Sequence, residues 1–454
     1  MGVAPINWIQ LAMLVALLAG SLAGVQAPVV LAVLLMLGAT AWQFPRLLPM
    51  AQLFLVLALG AGALVWGLLP GGGGAGLWRA VEQGAGFAAL MTVLGMLRHP
   101  VRRSATVRAA VRWLVARPPR RRFAAVGAGA QGLALLFNIG IIGMVGDLLR
   151  RPGEEALHDP GRRALVLGAM RGADLVTVWS PLGLGFAIVI AGIPALDPLA
   201  FLALAAGFAA LATLLTTLWP MLPPEAALEE DAASAGAVAL SARPLVLLLA
   251  VCALVLAAAI ALHEVSGMSF TLSSATVLPV FALLWMAAER APESEGFAAD
   301  LRATLSGLTD MRSEAAIFLS ANVIGTVIAL LVDAAGLGLA GLGAGAMALP
   351  VLVALSLLIP LCAACFLPNS IVVVIAAQLF GAGTLGQAHP LALALVLAVG
   401  WASAIAVSPI SAMSLMVART CGTHPQRVAW RWNPPFAALL SGLGALVAAL
   451  LVLL

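Results

Sequence analysis

Apolar runs of about 17–25 residues, the length a helix needs to cross hydrocarbon, recur from one end of the chain to the other. They predict membrane-spanning helices at 7–24, 28–43, 50–70, 79–97, 164–193, 197–220, 243–262, 269–287, 314–334, 390–417 and 435–454. Two further apolar segments follow a different pattern. Residues 123–149 have Arg120, Arg121 and Arg122 before them and Arg150 and Arg151 after them. A single crossing would leave one arginine cluster on the wrong side, and two full crossings would need roughly 40 residues. The pattern therefore predicts a re-entrant hairpin that enters and leaves from the cytoplasm, with its tip near Asn138. Residues 346–381 predict a second hairpin with Pro368-Asn369-Ser370 near its tip. Its flanks carry no arginine, as expected if it enters from outside.

Composition narrows the class. The 454-residue chain is 63% hydrophobic and 9% charged, with a mean hydropathy of +1.10. No soluble domain of this size hides that much apolar surface. The expectation is an all-α polytopic membrane protein with about 11 transmembrane helices and two re-entrant hairpins in two inverted repeats. Residues 1–24 lack a basic start and read as the first span, not a cleaved leader. The expected organisation is an extra N-terminal helix over 1–27 and a first repeat over 28–220, with hairpin 123–149 and broken helix 164–193. A cytoplasmic linker over 221–242 follows, then a second repeat over 243–454, with hairpin 346–381 and broken helix 390–417.

Charge sets the orientation. All 23 basic side chains are arginine, and most of them crowd residues 98–122, 150–163 and 419–431. Such loops face the cytoplasm, which puts the N-terminus inside and the Gly71–Gly74 run and His263-Glu264 outside. The expected location is a bacterial-type inner membrane. Topology and lipid contact account for the clusters, and no nucleic-acid partner is expected. Residues 101–117 place Arg102, Arg103, Arg108 and Arg112 among Val101, Val107, Val111, Trp113 and Leu114. They read as an interfacial amphipathic helix, either an arm bracing the first hairpin or a linker lying on lipid. The segments 221–242 and 288–313, with Glu225, Glu229, Glu230, Asp231, Glu293, Glu295 and Asp300, read as solvated connectors. Most of the eleven Trp read as interface anchors, the five His as surface groups and the four Cys as buried packing residues. Cys362 and Cys365 lack the second ligand pair of a zinc site.

The candidate chemistry lies in a repeated interruption. Phe137-Asn138-Ile139-Gly140 is followed about forty residues later by Ser180-Pro181-Leu182-Gly183. Pro368-Asn369-Ser370 is followed at a similar distance by Ser408-Pro409-Ile410-Ser411. Helix breakers at membrane depth free backbone groups that are tolerated only inside protein or beside a water-filled cavity. Matching breaks in two halves of a membrane chain point to a transporter binding site. Exposed N–H groups at half-helix starts attract anions, while carbonyls and Asn or Ser oxygens coordinate small cations. The candidate solute- and ion-binding residues are Asn138, Gly140, Ser180, Gly183, Asn369, Ser370, Ser408 and Ser411. Arg171 and Asp174 are charges inside a predicted span, which makes them functional candidates. At i and i+3 they can pair, Arg171 can neutralise an anion, and Asp174 can carry a coupling proton. Val399 and Ala402 hold the matching places in the second repeat, so any such role is asymmetric. Asn322, Gly325 and Thr326 read as close-packing residues.

This layout resembles the ion transporter superfamily, nearest its divalent anion/sodium symporter branch, over nearly the whole chain. Asn138 and Asn369 match the asparagine of that branch's Ser-Asn-Thr hairpin tips, with Gly140 and Ser370 where the motif has Thr. Ser180-Pro181 and Ser408-Pro409 stand where its broken spans are expected. The resemblance implies a homodimer that moves a small solute, an organic anion, by an ion-coupled elevator motion. The coupling ion is H+ or Na+, and no cofactor is implied. Two other classes remain open: a non-transporting membrane subunit of a larger complex, and a membrane-embedded enzyme. No His-Glu-x-x-His, Gly-x-Ser-x-Gly or paired intramembrane carboxylates support the enzyme.

Overall fold

The computed structural model describes residues 4–69, 73–228, 240–289, 296–336, 343 and 345–453. Gly71, Gly72, Glu229, Glu230, Asp231, Glu293 and Glu295 lie outside the described residues, as do the side chains of Arg102 and Arg120. The helices are α1 (Pro5–Ala23), α2 (Gln26–Gln43), α3 (Pro49–Leu68), α4 (Gly74–Arg103), α5 (Ala105–Val115), α6 (Pro119–Phe137), α7 (Gly140–Leu149), α8 (Pro160–Trp179), α9 (Leu184–Gly192) and α10 (Pro198–Leu218). The chain continues with α11 (Arg243–Ser266), α12 (Phe270–Ala288), α13 (Phe297–Ser306), α14 (Arg312–Ala334), α15 (Ala348–Ala364), α16 (Asn369–Phe380), α17 (Thr384–Ala388), α18 (Pro390–Val407), α19 (Ala412–Cys421) and α20 (Pro434–Leu453).

Proline opens many of these helices, because its missing N–H costs nothing in the first turn. Where the chain turns in water, acidic caps help. Asp159 accepts from Arg162 N at 2.8 Å before α8, and Asp197 accepts from Leu199 N at 2.8 Å before α10. Among the described residues, 12 helical stretches are long and apolar enough to cross a membrane, and the protein is an all-α polytopic membrane protein. The sequence suggested about 11. The extra one is Gly345–Ala364, the first arm of the second expected hairpin, which is itself 20 residues long.

The chain forms two compact units. The first is Met1–Ser104, Leu254–Leu342 and Val374–Thr384; the second is Ala105–Ala253, Gly343–Val373 and Leu385–Leu454. Each unit therefore draws on both expected repeats. In the first, Gly84 of α4 lies against Leu319 of α14, and Gly95 meets the Gly307 carbonyl. Leu47, Ala51 and Ala316 form a small core there, covered by Phe44, Leu55 and Ile317. Gly325 of α14 packs on Val374 of α16, the close approach expected of it. In the second unit, Gly172 of α8 leaves no room for a Cβ against the Gly127 carbonyl of α6, so the two backbones touch. Residues Ala392–Ala404 of α18 are buried without interruption. Gly400 packs on Ile359 of α15, and Gly444 of α20 packs on Val399.

Several sequence expectations change. The amphipathic helix begins at Ala105, because α4 runs on to Arg103. It does brace the hairpin segment: Leu114 fills the space left by Gly129 of α6. Residues 288–313 contain α13, whose Asp300 pairs with Arg103 at 2.7 Å and whose Thr304 is buried. The start of the 221–242 linker is packed as well, with Ala226 fully buried. Trp401 and Trp432 are core residues, not interface anchors. Cys252 and Cys421 are buried as expected, but Cys365 is exposed at a helix end.

Candidate functional site

All ten candidate residues fall in the second unit. Each expected interruption is present. Helix α6 stops at Phe137, and α7 begins at Gly140. Helix α8 stops at Trp179, and α9 begins at Leu184. Helix α15 stops at Ala364, and α16 begins at Asn369. Helix α18 stops at Val407, and α19 begins at Ala412.

The two tips are built differently. Asn138 has φ 46° and ψ −134°, and Ile139 has −63° and −18°. These are the central angles of a type II′ turn, whose first position favours glycine or asparagine. At the other tip the left-handed residue is Phe366, φ 65°. Its N–H donates to Ala363 O at 3.2 Å, and that of Leu367 donates to Cys362 O at 3.1 Å. This is a Schellman closure. The ring of Phe366 stands edge-on to Trp430 at 5.6 Å, and Trp430 Nε1 donates to Ala364 O at 3.2 Å. Each tip therefore has one non-glycine residue at positive φ, Asn138 at the first and Phe366 at the second, and Asn369 starts the following helix. A shared asparagine in sequence hid this difference.

Small residues bring some of the breaks together. Gly143 of α7 faces Met416 Sδ of α19, and Gly146 abuts Thr420. The two contacts advance in step, so α7 and α19 run side by side in the same direction. Their first turns, at Gly140 and Ala412, are therefore level. On the other side, Gly185 of α9 packs on Trp401 of α18, five residues after Ser180 and seven before Ser408. Asn138, Gly140, Ser408 and Ser411 thus lie around two adjacent helix starts, with the Ser180–Gly183 break alongside α18. Among the described residues, no glycine contact of this kind ties Asn369 or Ser370 to them.

The serines at the breaks hold the backbone. Ser180 Oγ accepts from Leu182 N at 3.3 Å, and Ser411 Oγ accepts from Ser414 N at 3.1 Å. Ser180, Ser370 and Ser408 are buried, while Asn138 is exposed. Three breaks also carry a buried polar atom with no partner: Trp179 Nε1, Asn369 Nδ2 and Ser414 Oγ. Buried polar atoms are nearly always satisfied, so such atoms at helix breaks suit a bound polar species. Sequence reasoning missed Trp179 and Ser414. Their position beside the two Ser-Pro breaks was the available signal.

The expected Arg171–Asp174 pair does not form. The Arg171 guanidinium is buried and turned the other way. It donates to Asn433 Oδ1 at 3.3 Å, to Trp432 O at 3.1 Å, to Met221 O at 3.3 Å and to Pro220 O. It also stands 5.1 Å from the Phe436 ring. Four of its five N–H donors are occupied by the protein, which leaves little for a solute. Asn433 and the π-helical turn Val428–Trp432 were not singled out in the sequence. Asp174 is fully buried, and neither carboxyl oxygen has a partner.

Two arginines of the 150–163 segment hold helix ends. Arg162 Nη1 donates to Leu149 O at 3.1 Å and to Glu154 Oε2 at 2.7 Å. Arg163 donates to Leu157 O at 2.8 Å and to Cys421 O at 3.0 Å. They cap the ends of α7 and α19 and fasten both to the start of α8. The backbone N–H of Arg151, followed by Arg162, holds the Glu154 carboxyl below its usual 4.5.

Among the described residues, no group of three or more His, Cys, Asp or Glu could hold a metal ion. The helix count, the paired broken helices and the gathered half-helix starts define the class, a polytopic membrane protein with a transporter-like fold. The chain is similar in fold to a solved structure, the YdaH transporter of Alcanivorax borkumensis, described as having an unusual topology. The match has a TM-score of 0.54 at 15% identity and covers 88% of this chain and 97% of that one. No protein-family profile and no curated protein matches the chain.

Proposed function

We propose that this chain is a secondary active transporter that moves a small organic anion across a bacterial-type inner membrane. The observation that carries the reading is the pair of level, parallel half-helix starts at Gly140 and Ala412, bordered by Asn138, Ser408 and Ser411. Two helix N-termini side by side offer free N–H groups and two positive dipole ends to one anion. That arrangement also supports kinship with the divalent anion/sodium symporter branch, with the hairpins entering from opposite faces and the N-terminus inside. A compact unit that contains every candidate residue suits an elevator, in which one body carries the solute and the other stays with the homodimer. The fold shared with a known transporter favours transport over catalysis.

Coupling is assigned to protons. Asp174 is a buried carboxyl without a partner. A group that alternates between a dry and a wet surrounding can take a proton in one and release it in the other. Uptake of carboxylates, sulfonates and oxyanions into proteoliposomes tests the whole reading. At least one should accumulate under an inward proton gradient and continue to do so when choline replaces sodium. Strict sodium dependence would sink proton coupling, and no transport of any anion would sink the function.

A further inference from the structure

The first unit holds a polar pocket that transport does not use. It is a small cleft open to the surface, with room in its depth for about one water-sized group, and it is lined by Gln10 of α1, Thr40 and Gln43 of α2, Thr92 of α4 and Arg312 at the start of α14, among apolar neighbours. Gln10 and Gln43 are more than nine-tenths buried, and the side-chain oxygens of both have no partner. The Gln43 amide cannot turn round. Its Nε2–H donates to Ala39 O at 3.2 Å, so its oxygen is left as the open acceptor. Thr92 donates its hydroxyl to Ala88 O at 2.8 Å, and its oxygen can still accept. The depth of the pocket is therefore a set of neutral acceptors that lack donors.

A half-exposed cation adjoins this set. Arg312 donates from Nε to Arg46 O and from Nη1 to Thr309 O, each at 3.3 Å. Three of its five N–H groups remain free. Trp8 of α1 and Trp42 of α2 expose 53% and 59% of their surface. Exposed Trp on spanning helices marks the level of lipid headgroups.

We propose that this pocket is a structural site for a phospholipid headgroup that carries a primary ammonium as well as a phosphate, as phosphatidylethanolamine does. The phosphate meets Arg312, and the ammonium N–H groups enter among the Gln10, Gln43 and Thr92 oxygens. A quaternary ammonium has no N–H and cannot satisfy them. A carbonyl deprived of donors in a dry place costs more than an ordinary hydrogen bond returns, so the preference between headgroups should be visible.

The test is lipid binding to the full chain, purified in mild detergent and stripped of native lipid. Phosphatidylethanolamine and phosphatidylcholine with identical acyl chains are titrated in turn, beside inorganic phosphate. Phosphatidylethanolamine should bind about three- to tenfold more tightly than phosphatidylcholine, the worth of one or two hydrogen bonds. Gln43→Leu should erase that preference while phosphatidylcholine binding stays as it was. Arg312→Gln should weaken both lipids. If Gln43→Leu does not fold, Gln10→Met serves the same purpose. Equal binding of the two lipids, or an unchanged preference in the folded glutamine variant, overturns the proposal. So does full stabilisation by inorganic phosphate alone, which would make the site one for a free anion.

Discussion

At the scale of single residues, the tip asparagines separate into two roles. Asn138 holds a backbone conformation that glycine takes without strain. Asn138→Gly should therefore fold at least as well as wild type, while Asn138→Ala adds strain of order 1–3 kcal/mol. Under the proposed function both should bind an anionic solute several-fold to more than tenfold more weakly, for loss of the side-chain amide. Melting curves and binding titrations on the two variants check this, and normal affinity in a folded Asn138→Gly would remove the residue from the site. Asp174→Asn keeps the shape of a buried carboxyl and removes its proton exchange. Uptake should lose its response to a pH gradient, while solute exchange at equal pH continues. A gradient response as strong as wild type would exclude Asp174 as the carrier.

At the scale of elements, the loop after α7 gives a pH prediction. Glu154 has its carboxyl held low by the Arg151 backbone N–H and by Arg162. A group whose pKa is lower folded than unfolded stabilises the fold above its unfolded pKa. It loses that contribution as pH falls through the folded value. Glu154→Gln should therefore lower the melting temperature at pH 7 and make little difference well below pH 4. Equal effects at both pH values would mean that the carboxylate charge is not what holds the α7–α8 corner. The sequence made the position of the helix breaks legible, since Ser-Pro, Asn and Gly interrupt otherwise apolar runs at 138, 180, 369 and 408. It did not make the tip geometry legible. A left-handed Phe366 carries no compositional mark, because phenylalanine rarely occupies that conformation. The parallel register of α7 and α19 was equally hidden, since it rests on which small residues, Gly143 and Gly146, meet which side chains far along the chain, Met416 and Thr420. Spacing suggested an Arg171–Asp174 pair. The carbonyls of Pro220, Met221 and Trp432 compete for the same guanidinium, and nothing in the local sequence announces them.

At the scale of the whole molecule, the testable quantity is which face each loop meets. Both ends of the α6–α7 hairpin should lie on the cytoplasmic side. Cysteines placed singly at Arg122 and Arg151 in a chain cleared of native cysteine should both resist an impermeant thiol reagent added from outside. Labelling at one position and not the other would convert the hairpin into a crossing. The apolar runs alone gave the class of the molecule and most of its spans. They could not give the division into two compact bodies, because each body draws segments from both halves of the chain.

The setting of Arg171 carries a consequence for biosynthesis. Its guanidinium is satisfied partly by residues just after α10 and partly by Trp432, 261 positions beyond Arg171 itself; at the usual pace of translation the second set arrives roughly 13–50 s after the first half of α8 leaves the ribosome. Through that interval a charged side chain sits in a helix that belongs in hydrocarbon, with its last partners not yet made. Helix α8 therefore cannot settle early. It must wait at the insertion machinery, or beside water, until the C-terminal turn closes over it. Assembly of the second unit is then timed by the arrival of Trp432, so a ribosome that stops before it leaves behind a product that quality-control proteases can recognise by one uncovered arginine.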